Sequence, residues 1–83
     1  MEIYVPKYDM NIGLQLCWHP DFSIKVSSNK SEVTICANRE GLLSMASHLL
    51  NLAQTEVPPG THIHLDEYNS LEEGSQSIII EKV

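Results

Sequence analysis

The sequence predicts an α+β fold: a mostly antiparallel sheet of five or six strands with one long helix packed on one face. Three observations predict it. Apolar and polar residues alternate in successive short runs through the first 37 residues, the pattern of strands with one buried face. The period then lengthens to that of an amphipathic helix over residues 39–55. Two further strand-like runs, about 61–66 and 76–82, follow it. The 83 residues suit a single domain, 1–83, and 42% apolar with 19% charged residues suits a globular chain rather than a disordered one.

The elements are justified in order. Ile3 and Val5 begin a short strand that Pro6 ends or confines to an edge. Ile12, Leu14, Leu16 and Trp18 alternate with Gly13, Gln15 and Cys17, and Trp18 is placed in the core. His19-Pro20-Asp21 is a turn signal. Phe22, Ile24 and Val26 alternate again, the polar stretch from Ser27 to Ser31 is a hairpin loop, and Val33, Ile35 and Ala37 form the next strand. These runs make an N-terminal antiparallel meander over about 1–37.

Asn38 is a good N-cap, and Glu40 in the first turn suits the helix dipole. Leu42, Met45, Ala46, Leu49, Leu50 and Ala53 form the apolar face expected to cover the sheet. Arg39, Ser44, Ser47, His48, Asn51 and Gln54 form the wetter face. Pro58-Pro59-Gly60 stops the helix. Ile63 and Leu65 point inward from the next strand. Ile78, Ile79 and Ile80 suggest a last strand covered on both faces or lying mid-sheet. Cys17 and Cys36 lack CxxC spacing and are expected as buried, reduced thiols.

Eleven acidic against five basic residues give a net charge of −6. That argues against nucleic acid and anionic membranes as partners, and suits a basic protein partner. No secretory leader or membrane-spanning run is evident, so a cytoplasmic location is expected. The charge is uneven. Residues 42–83 hold six acids and one base, a balance of −5, and Asp66, Glu67, Glu72 and Glu73 cluster around Tyr68 and Leu71. A solvated acidic loop explains this cluster. So does a docking edge with an aromatic anchor, which salt would weaken.

The most chemically suggestive stretch is Thr61 to Glu67. On a strand, His62, His64 and Asp66 share a face, about 6.6–6.8 Å between alternate residues, so they are candidate ligands for zinc. A solvated or partner-facing strand explains the same pattern, because Ile63 and Leu65 already supply the buried face. No phosphate-binding loop or nucleophile elbow is present, and no catalytic residue is assigned.

Arg39-Glu40-Gly41-Leu42-Leu43, continuing through SMASHLLNLAQ, and then GTHIHLDEYNSLEEGSQSIIIEK, resemble the immunity protein 32 family over roughly residues 35–83. The resemblance implies a small α+β immunity partner in a bacterial polymorphic toxin system. Its function would be stoichiometric occlusion of a cognate toxin domain, without catalysis or cofactor. The acidic balance suits a basic nuclease as that toxin. The partner-binding residues expected from polarity and exposure are His62, His64, Asp66, Glu67, Tyr68, Glu72 and Glu73. Two other readings stand beside it: a zinc-binding protein or metal-dependent enzyme built on His62, His64 and Asp66, and a structural or regulatory homo-oligomer, such as a homodimer, paired through a strand edge or open sheet face.

Overall fold

The computed structural model describes all residues, 1–83. Its order is β1 (Ile24–Ser28), β2 (Val33–Ala37), α1 (Arg39–Leu52), β3 (His62–Leu65) and β4 (Ile78–Glu81). The α+β class holds, but the expected sheet of five or six strands does not. The four strands form two separate antiparallel hairpins, β1–β2 and β3–β4. Val26 pairs with Ile35 in the first, and Ile63 with Ile80 in the second.

The missing strands are those expected around Ile3–Val5 and Ile12–Trp18, where only an isolated Asp9–Gly13 bridge forms. The reason lies in α1. The N-terminal segment bonds to side chains of the helix, and of Gln54 just beyond its end, instead of to a neighbouring strand. Ser47 Oγ donates to Tyr4 O at 2.9 Å, Asn51 Nδ2 to Gln15 O at 2.8 Å, and Gln54 Nε2 to Pro6 O at 2.9 Å. Tyr8 N donates to Gln54 Oε1 at 2.9 Å, and His19 N to Ser44 Oγ at 2.8 Å. Backbone groups at a buried contact need partners, and here side chains supply them.

The helix is consequently turned over relative to its hydropathy. Ser44, Ser47, His48 and Asn51 are buried, while Leu42, Leu49 and Leu50 are about half exposed, at 56%, 46% and 50%. Asn38 caps α1 as expected. Its Oδ1 accepts from Gly41 N at 2.8 Å and Ser23 N at 2.9 Å, and its Nδ2 donates to Asp21 O at 2.9 Å. Gly41 lets the first turn sit against β1. A Cβ there would lie 2.5 Å from Ser23 O and 2.9 Å from Ile24 Cγ1. The helix ends at Leu52 rather than at 55. Beyond it, Lys82 Nζ reaches back to Gln54 O at 2.7 Å and Val57 O at 2.8 Å.

The core is small: Ile24, Val26, Leu52, Val57, Ile63, Leu65 and Leu71, with Leu14, Leu16, Trp18, Phe22, Met45, Ile78 and Ile80 packed against it. Trp18 stacks on Phe22 at 4.5 Å and meets the His48 ring edge-on at 4.2 Å. Ile79 is exposed, so β4 is covered on one face only, unlike the strand expected from its three isoleucines. Cys17 is half-buried, whereas Cys36, expected in the interior, is exposed; both are free thiols. No helix is long and apolar enough to cross a membrane.

Candidate partner-binding surface

The β3–β4 hairpin turns alternate side chains to opposite faces. Ile63 and Leu65 enter the core, and His62 and His64 face out. Across the ladder, His62 stands opposite Glu81 and His64 opposite Ile79. This outer face is a polar and apolar mixture rather than a converging set of ligands.

After Leu65 the chain turns sharply, and two side chains hold the turn. Asp66 Oδ1 accepts from Tyr68 N at 2.9 Å and Asn69 N at 3.0 Å. Asn69 Oδ1 accepts from Asp66 N at 3.0 Å, while Asn69 Nδ2 donates to His64 O at 2.9 Å. Leu71, buried to 4% exposure, pins the loop into the core. Glu67 Oε2 then accepts from Gly74 N at 2.7 Å. Gly74 sits at φ +82°, where a side chain would be strained.

The acidic loop is also tied to β1. Glu72 N donates to Ile24 O and Gln76 N to Val26 O, both at 2.8 Å. Ser75 Oγ accepts from Val26 N at 3.1 Å. Glu72 Oε1 accepts from Ser23 Oγ at 2.9 Å, and Lys25 Nζ donates to Glu73 O. Residues 72–76 therefore line the edge of β1 that β2 leaves open.

The seven residues expected from the sequence thus divide by what their side chains do. Asp66, Glu67 and Glu72 hold the loop in shape. Tyr68, at 90% exposure, stands free at its tip. Glu73, His62 and His64 also face outward. His64 Nε2 lies 3.8 Å from Asp66 Oδ2, an ion pair when the imidazole is protonated. No three His, Cys, Asp or Glu side chains stand together as a metal centre requires. Asp66, the third ligand of the zinc reading, spends one carboxylate oxygen on the turn. Asn69 was missed as an organiser of the site. Its signal was present in Asp66-Glu67-Tyr68-Asn69, since Asp and Asn readily bond to nearby backbone in turns.

The largest concavity, about 830 Å³, lies elsewhere, lined by Lys7, Tyr8, Asp9, Met10, Glu56 and Pro58. It contains none of the seven residues.

The fold and this surface define a small α+β module whose polar side chains largely hold its own backbone, leaving an acidic loop with an exposed aromatic tip. The chain belongs to the immunity protein 32 family, whose model matches residues 32–83. That match spans β2 to β4 and the whole acidic loop. Neither the curated proteins nor the solved structures yield a match.

Proposed function

We propose that this chain neutralises a cognate bacterial toxin domain by one-to-one binding, with the 66–73 loop as its docking edge. Membership of the immunity protein 32 family supports a toxin partner in general. The observation that carries the finer reading is Tyr68, 90% exposed on a loop whose shape is already set. An ordered loop loses little conformational freedom on binding, and an exposed tyrosine is a common energetic anchor. The −5 balance of residues 42–83, six acids against one base, favours a basic partner surface such as that of a nuclease. The binding would cover the toxin's working surface, so no catalysis by the immunity chain is invoked.

The test is co-expression of toxin and immunity chain, followed by affinity measurement with the purified pair at low and high salt. Growth rescue and salt-weakened binding are expected. Tyr68→Ala should raise Kd by about 30-fold, the effect of losing a binding anchor of about 2 kcal/mol. Glu73→Lys, at a side chain free of internal bonds, should slow association without altering the fold. Unchanged affinity in both variants would remove the loop from the interface.

A further inference from the structure

We infer that two copies of this chain pair along the free edge of β2, joining their β1–β2 hairpins into one four-stranded antiparallel sheet. The backbone carries the argument. Asn38 N donates to Ser23 O at 3.1 Å, and Asn29 N donates to Glu32 O at 2.9 Å. Hydrogen-bonded pairs alternate along an antiparallel ladder. With Ile24 opposite Ala37 and Ser28 opposite Val33, Thr34 and Cys36 therefore bond to β1. Val33, Ile35 and Ala37 turn their N–H and C=O groups away from it. The same alternation sends the Ile24 and Val26 carbonyls outward on the other side, where Glu72 and Gln76 meet them. One edge of the hairpin is closed by residues 72–76, and the other is bare.

That bare edge lacks the usual safeguards of an edge strand. Val33–Ala37 reads VTICA, with no charge, proline or bulge, and Val33 and Ile35 are 63% and 43% exposed. Three outward residues at alternate positions fix a single register that uses all of them. Ile35 faces Ile35 of the other copy, and Val33 faces its Ala37. Such pairing about a two-fold axis is self-complementary and closed. Glu32 falls opposite Asn38, not opposite a second Glu32.

Charge selects a second copy over a basic partner strand. The five residues of β2 are neutral although the chain carries −6. The acidic loop lies on the far side of β1, so pairing through β2 puts the two loops at opposite ends of the sheet. With strands about 4.8 Å apart, some five spacings separate them by roughly 24 Å, beyond the ~8 Å screening length at physiological salt. The inference stands apart from the proposed function, and it leaves both docking loops free.

Sedimentation equilibrium on the purified full chain tests it. The expected mass is twice 9.3 kDa. Ile35→Lys, which sets two ammonium groups face to face at the two-fold, should return the mass to that of one chain with an unchanged circular dichroism spectrum. Val33→Lys, at the more exposed position, serves if Ile35→Lys fails to fold. Thr34→Cys should give a disulfide-linked dimer with the native Cys36 under mild oxidation, since those positions would oppose at a Cα distance of about 4.5 Å. A single-chain mass up to about 1 mM overturns the proposal, and β2 amides protected only by added toxin would then assign the edge to that partner. A dimer that survives the lysine substitution, or that Thr34→Cys does not crosslink, overturns it equally.

Discussion

Gly41 and His48 lie on the same helix and impose opposite constraints. At Gly41 the limit is space. A methyl group would meet the Ser23 carbonyl at 2.5 Å, and that carbonyl is backbone immediately before β1. Gly41→Ala should therefore destabilise the chain by about 1–3 kcal/mol, read as a lowered urea midpoint, although alanine is the better helix former. At His48 the limit is charge. The ring is 1% exposed against Trp18, neither nitrogen has a hydrogen-bond partner, and burial holds its pKa below the ordinary 6.5. As pH falls below about 6.5, the unfolded chain takes up this proton before the folded one does. Stability from His48 is thus intact above that pH and declines below it, until the folded-state pKa is passed. Urea midpoints measured from pH 7.5 to 5 should show the decline, and His48→Leu should reduce it. An equal slope in the variant would exclude His48 as its source.

At the scale of the element, α1 is the most informative. Its existence, N-cap and approximate span were legible in the spacing of Leu42, Met45, Ala46, Leu49 and Leu50 and in Asn38. Its orientation was not. Hydropathy assigns the leucines inward, but the N-terminal segment has no strand neighbour and needs donors and acceptors. Ser44, Ser47, Asn51 and Gln54 provide them. A one-dimensional pattern cannot reveal that need, because the bonds join residues 25 to 48 positions apart. The two orientations predict opposite mutational results. Leu50→Gln should shift stability by no more than about 0.5 kcal/mol, as an exposed substitution does. Asn51→Ala should cost about 1–3 kcal/mol by leaving Gln15 O without its donor. A leucine-facing-in helix would reverse that ranking, and urea denaturation of the two variants separates them.

For the whole molecule, the seven-residue core implies modest stability, as expected for a chain of this size. If β2 pairs with its copy, the melting temperature should rise with protein concentration, because association stabilises only the folded chain. Ile35→Lys should make melting independent of concentration. The general architecture was partly legible: the β1–β2 hairpin and the His62–Leu65 strand follow from alternation and turn residues. The sheet was overcounted because an extended segment docked on a helix shows the same alternation as a strand. At the surface, the exposed Tyr68 and outward histidines could be read from the sequence. The internal work of Asp66, Glu67 and Glu72 could not, since each bond depends on how the loop closes.

The closure of β1 by residues 72–76 also sets an order of events. The β1–β2 hairpin needs only a short loop and can form early. Its second edge is met by residues 48 to 50 positions further along the chain, where Glu72 and Gln76 reach the Ile24 and Val26 carbonyls. Until then the hairpin has two open sides rather than one. Such distant pairing slows folding. The period before residues 72–76 arrive is therefore when newly made chains are most exposed to sticking to one another.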